Sequence, residues 1–230
     1  MGGTTFLTCS RFKEGVMTVD VQLWMALLLV GFANPEGLSR KRESEGRRSL
    51  LVELCDTTEL QASILQAARD EASSIFAKAA AHVQWESNCA LPPPATPHSA
   101  RIHVIPRVPE VIASEYYRTR GKRSIMGFAQ PNPGENRAGV IYVARQAIEA
   151  FASKSGRISL TEAHTARAIG RVFAHELAHH FLGAGHTETG ILKHFLDQRT
   201  LISKHNDGLF FSPDQVRVLR LRVEGQSPYD

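Results

Sequence analysis

The sequence predicts an α+β fold of five short strands with two long helices and a small C-terminal helical part. Three observations carry that expectation. Short runs rich in β-branched and aromatic residues recur five times between Leu50 and Val143. An apolar face at helical spacing is kept over Leu60 to Ala79 and again over Ala166 to Phe181. Between the last two strand-like runs lies Pro131-Asn132-Pro133-Gly134-Glu135-Asn136, whose residue types favour a turn and join the runs as a hairpin.

In chain order, Leu50 to Cys55 reads as the first strand, followed by Thr58-x-x-Gln61 as the cap of a long helix. Leu60, Ile64, Leu65, Ala68, Ala72, Ile75, Phe76 and Ala79 form the apolar face of that helix. A second strand is expected at His82 to Glu86, ending in a turn at Asn88-Cys89, and the Pro-rich stretch Leu91 to Pro97 is a loop. Arg101 to Ile105, Ser124 to Gln130 and Gly139 to Val143 supply the third to fifth strands, and Arg145 to Phe151 a short helix. Ser159-x-x-Glu162 fits a capping box at the start of the next helix. After a mixed stretch from Lys193 to Ser203, Asn206-Asp207-Gly208 marks a turn. Ser212 as cap, with Pro213 at the first helical position, then opens a helix reaching Val223.

Composition sets the outer limits. At 230 residues, 43% hydrophobic and 22% charged, the chain can bury a sizeable core in one domain and carry extra segments. Of the formal net charge of +4, Leu38 to Arg48 contributes +3, from five basic and two acidic residues. That segment has no interleaved aromatics, so it reads as a solvated linker, not a polyanion site, and no nucleic-acid partner is expected. Val21 to Ala33 is apolar but too short to span a membrane comfortably. Arg11 and Lys13 precede it and Gly31-Phe32-Ala33 ends it, the pattern of a signal peptide over 1–33, cleaved after Ala33. An uncleaved anchor or a buried helix are the alternatives. The expected organisation is therefore a leader (1–33), a basic flexible linker (34–49) and a folded domain (50–230), with a secreted or periplasmic destination. Loss of Cys9 with the leader would leave Cys55 and Cys89, an even pair that suits one disulfide; two buried free thiols are the other reading.

The chemistry concentrates in the second long helix, at His175-Glu176-Leu177-Ala178-His179. Residues four apart lie one above the other on a helix, so His175 and His179 can aim two imidazole nitrogens at one point. Such a pair is half of a zinc site. Glu176 follows the first histidine, where its carboxylate can reach a metal-bound water without becoming a ligand. Zinc lowers the pKa of its water from about 16 towards ~7, and Glu176 as general base would pass the proton to the leaving amine. Gly183 and Gly185 can take positive φ and turn the chain back, bringing His186 to a third coordination position. Glu188, and more weakly Asp197, are rivals for that position. His164, His194 and His205 read as surface residues and His180 as a flank residue. Tyr116, Tyr117 and Tyr142 read as core or rim packing, since nothing in the spacing selects one to stabilise an oxyanion.

The stretch from His175 to His186 resembles the long motif H-E-x-x-H-x-x-G-x-x-H of the metzincin clan of the zincin superfamily, with one residue more between His179 and Gly183. Gly190-Ile191-Leu192 is similar to the Gly-Ile-(Met/Leu) ending of predicted secreted bacterial zincin-like proteins, Leu192 standing where metzincins place a methionine below the metal. The resemblance spans about Leu50 to Leu192. It implies a mixed, twisted five-stranded sheet with a backing helix and an active-site helix. It further implies zinc held by His175, His179 and His186, Glu176 as general base, and hydrolysis of peptide bonds by a zinc metalloendopeptidase. By the same resemblance Ser124 to Gln130 borders the cleft as an antiparallel edge to which a peptide substrate could add. A catalytically inactive zincin-like domain that binds metal or a protein partner is the alternative.

Overall fold

The computed structural model describes residues 49–87, 89, 96, 98–110, 112–114, 125–131, 138–154, 156–183, 185–224 and 226. The leader and nearly all of the linker expected before the domain lie outside these residues, as do Tyr116, Tyr117, Ser124 and most of the Pro-rich loop and of the turn after Pro131. No described helix is long and apolar enough to cross a membrane.

Five strands form one mixed sheet: β1 (Ser49–Asp56), β2 (His82–Glu86), β3 (Ser99–Ile105), β4 (Gly127–Pro131) and β5 (Ala138–Ala144), in the order β2-β1-β3-β5-β4. Among the described residues the helices with defined bounds are α1 (Ala62–Ala77), α2 (Arg145–Ala152), α3 (Glu162–Leu182), α4 (Gln198–Ile202) and α5 (Pro213–Val223). β1 runs parallel to both β2 and β3, and β3 parallel to β5. β4 returns antiparallel on β5 as the expected hairpin, with a shift of register between Gln130 and Pro131, and no described strand pairs with its other side.

The parallel strands account for the near-continuous apolar runs at the centre of the sheet. In β1, Leu50, Val52, Leu54 and Cys55 are all buried, the pattern of a strand covered on both faces. One polar pair interrupts this core. Glu53 and Arg101 stand opposite each other on β1 and β3, and the Arg101 Nε–H donates to Glu53 Oε2 at 2.6 Å. With both side chains buried, each charge depends on the other for its solvation.

α1 buries Ile64, Ala68, Ala72, Ile75 and Phe76, as its spacing predicts, and packs against α3. α3 buries Ala166, Ile169, Val172, Phe173, Leu177 and Phe181, and packs against β3, β4 and β5 as well. Its hold on the rest of the fold is also polar. Arg171, 1% exposed, donates from Nε to Glu71 Oε1 of α1 (2.7 Å), and from Nη1 and Nη2 to the carbonyls of Thr200 (2.5 Å) and Ser203 (2.9 Å). One buried guanidinium thus ties α3 to α1 and to the end of α4.

Two caps differ from expectation. α3 starts two residues later than Ser159-x-x-Glu162 suggests: Thr161 accepts from the His164 N–H while the Thr161 N–H donates to His164 Nδ1, a capping box closed by a histidine. At α1, Thr58 does not cap the helix. Asp56 instead gathers the Thr58 and Leu60 N–H groups on its carboxylate, and Gln61 precedes the helix without a side-chain bond. Ser212 caps α5 as expected, and the Ser212 N–H donates in return to Gln215 Oε1, closing a capping box. Cys55 and Cys89 are bridged, with Cα atoms 5.6 Å apart. At a separation of 34 residues the chain-entropy model values such a link at about 4 kcal/mol.

Candidate metal centre

α3 carries His175 and His179 on one side in its last two turns and stops at Gly183, whose φ of 103° an L-residue rarely adopts. Gly185 is not in the left-handed region, so one glycine suffices to turn the chain. His186 then comes back over the helix end, and ring nitrogens of His175, His179 and His186 lie within 4.8 Å of one another. The residue added between His179 and Gly183 is absorbed in this exit and does not carry His186 away. Of the rivals for the third position, Glu188 is exposed and not part of the cluster. Asp197 caps α4 through the Thr200 N–H and pairs with Lys193.

Hydrogen bonding fixes the tautomers. His175 Nδ1 lies 2.7 Å from the Ile191 carbonyl and His179 Nδ1 3.3 Å from the Gly183 carbonyl. A carbonyl only accepts, so each Nδ1 carries the proton and each Nε2 presents a lone pair. Those two Nε2 atoms face each other at 3.1 Å. Two neutral imidazoles that meet lone pair to lone pair repel, unless a cation lies between them. Ligands at the ~2.0–2.1 Å Zn–N distance and tetrahedral angle stand about 3.3 Å apart, close to the spacing here. The His175–His179 spacing therefore fits a zinc ion, and His175, His179 and His186 are the residues that could hold it.

The protonation states agree. Burial first, then the neighbouring His179, holds the His175 pKa down at about 4, so the ring is neutral at physiological pH. Burial likewise lowers that of His179. Glu176, 8% exposed, is pushed up to about 8 by desolvation. A divalent cation at the three imidazoles would favour the carboxylate and bring that value down.

The loop after His186 supports the site through its backbone hydrogen bonds. The Thr187 N–H donates to the Leu192 carbonyl and the Ile191 N–H to the Phe210 carbonyl, both at 2.9 Å, so the Ile191 carbonyl is held where His175 needs it. Gly190 has φ +80°, and a Cβ on it would stand 2.6 Å from the Phe210 carbonyl oxygen. Ile191 and Leu192 are buried in the core.

Three residues have roles that their sequence positions did not suggest. His194 is exposed, as a surface histidine should be, but its ring packs edge-on against His186 at 4.7 Å between centroids. His180, on the flank, sets Nε2 2.8 Å from the Ser99 carbonyl at the start of β3. Gly127, at the start of β4, lies against the Glu176 side chain. An isolated glycine in a strand-like run is a signal of close approach that could have found the last. Tyr142 packs at the rim, stacked on Phe128 at 4.9 Å.

No protein-family model and no curated protein matches the chain. Among solved structures, the chain is similar to a zinc-dependent peptidase from Methanocorpusculum labreanum, with 14% identity, coverage of 73% of this chain and 99% of that one, and a TM-score of 0.49.

Proposed function

We propose that the chain is a zinc-dependent metalloendopeptidase of metzincin-like type, with His175, His179 and His186 as zinc ligands and Glu176 as general base. The observation that carries this reading is the meeting of three imidazoles beside a buried glutamate of the same helix. A purely structural site has no use for that carboxylate. Zinc, when bound, supplies polarisation of the scissile carbonyl and acidification of the attacking water. Glu176 takes the proton from that water and delivers it to the leaving amine. The Ile191 and Gly183 carbonyls hold His175 and His179 in the ligating tautomer.

The substrate is a peptide in extended form, added to the side of β4 that no described strand pairs with. The Ala144 N–H donates to the Met126 carbonyl, and the register pairs Phe128 with Tyr142 and Gln130 with Val140. In an antiparallel ladder this leaves Gly127 and Ala129 with N–H and C=O directed away from β5, available to a second chain. Binding through the backbone tolerates varied side chains. The leader-like run from Val21 to Ala33 and the Cys55–Cys89 bridge support secretion or a periplasmic site of action.

The test is metal content and proteolysis of the purified chain and its Glu176→Gln variant. The expected result is about one zinc per chain in both proteins. Cleavage of an unfolded protein substrate should fall by about 10² or more in the variant. Unchanged activity would refute the role of Glu176. Zinc without hydrolysis in the wild type would favour a metal-binding scaffold, for which Leu192 in place of methionine and the longer spacing after His179 are the observations.

A further inference from the structure

A Cβ built on Gly127 would stand 2.6 Å from both Cγ and Oε1 of Glu176 and 2.7 Å from its Cδ. Ordinary carbon contacts begin near 3.5 Å, so no side chain fits there while the carboxylate keeps its place. The three nearest atoms all belong to that one side chain. Nor does the strand itself require glycine at this position. Gly127 lies outside the left-handed region, it pairs in regular register with Val143, and any residue could adopt its backbone conformation. Glycine weakens a strand interior, and where it persists another group usually approaches the backbone closely. Here that group is the carboxylate two turns from the end of α3.

We propose that Gly127 is the positioning residue of Glu176. Its missing side chain seats the carboxylate directly against the backbone of the edge strand. The catalytic consequence rests on the metallopeptidase reading; the seating itself does not. Because Gly127 also turns its N–H and C=O outward along β4, one residue sets two relations: where the proton-accepting group lies relative to His175 and His179, and how near a peptide paired with the edge passes to it. A side chain at this position separates the two.

The experiment is a cycle of four full-length, zinc-loaded proteins: wild type, Gly127→Ala, Glu176→Ala and the double variant. Thermal unfolding, zinc content, kcat and KM are measured for each. Gly127→Ala is expected to lower Tm in the wild-type background and to leave it unchanged or raise it beside Glu176→Ala, where Cγ, Cδ and Oε1 are gone. Zinc content stays the same across the set. The kcat of Gly127→Ala falls by about 10² or more while KM changes little, as expected for loss of general-base alignment without loss of substrate binding. A crystal structure of Gly127→Ala should show the Glu176 carboxylate moved away from β4. Equal Tm changes in the two backgrounds, zinc loss from Gly127→Ala, full kcat in that variant, or an unmoved carboxylate would each overturn the proposal. If even the wild type hydrolyses no peptide, the metallopeptidase reading fails, while the thermal cycle and the carboxylate position still decide whether Gly127 seats Glu176.

Discussion

Replacing Glu176 by glutamine should change how the stability of the metal-free chain depends on pH, and burial fixes the sign. Burial raises the pKa of this carboxyl group from its ordinary 4.5 to about 8, because desolvation disfavours its charge. Between these values the native chain holds a proton that the unfolded chain has released, so stability is fully present below pH 4.5 and is lost as pH rises towards 8. At about 1.4 kcal/mol per pH unit, the difference between 4.5 and about 8 amounts to roughly 5 kcal/mol. His175 works in the opposite direction: its pKa of about 4 against 6.5 unfolded costs stability as pH falls through that window. That contribution is common to wild type and Glu176→Gln and cancels between them. Urea unfolding with a metal chelator present, read by fluorescence of Trp85 where it packs on Phe173, measures both proteins from pH 5 to 8. The variant should gain on the wild type steadily across this range, and saturating zinc should flatten the wild-type curve. Parallel pH curves for the two metal-free proteins would refute the burial argument.

Two other substitutions probe the supports of the site. Arg171→Met removes the guanidinium that binds Glu71, Thr200 and Ser203, and leaves the 16% exposed Glu71 side chain without its cation. The cost should be about 3–5 kcal/mol in the free energy of urea unfolding, and a loss below ~1 kcal/mol would contradict the account of a buried tie. Gly190→Ala forces a side chain onto a backbone at φ +80° and against the Phe210 carbonyl, displacing the carbonyl of Ile191 that orients His175. Zinc affinity, measured by competition with a chelator, should fall about 10–100-fold, and an unchanged affinity would show that His175 needs no such partner.

What the sequence discloses about the site follows the range of the interaction. His175 and His179 share a face because helix geometry is local, and the apolar face of α3 and the β4–β5 hairpin are equally local patterns. The approach of His186 needed the turn at Gly183, which a glycine signals, and the orientation of His175 needed the loop through Gly190, whose partner Phe210 lies 20 residues away in sequence. Contacts such as Glu53 with Arg101, Arg171 with Glu71, and Gly127 with Glu176 join distant segments and leave no period to read. Cap assignment failed for another reason. Ser159-x-x-Glu162 and Thr161-x-x-His164 overlap, and the weaker-looking pair won because the His164 ring nitrogen can accept as a carboxylate would.

The alignment of His175 passes through a relay. Its Nδ1–H meets Ile191, Ile191 is held by Phe210, and the adjacent Phe211 packs on Phe76 of α1 at 5.1 Å. A peptide covering only 162–186 would contain all three imidazoles without the carbonyl that aims His175. Cation affinity is in that sense a property of the folded chain, and binding free energy at the site adds to folding free energy. The segment 187–211 supplies none of the three imidazoles and yet aims one of them, so a proteolytic nick there should weaken ion binding while the sheet stays together, and retention of zinc would report on the integrity of a stretch that holds no ligand.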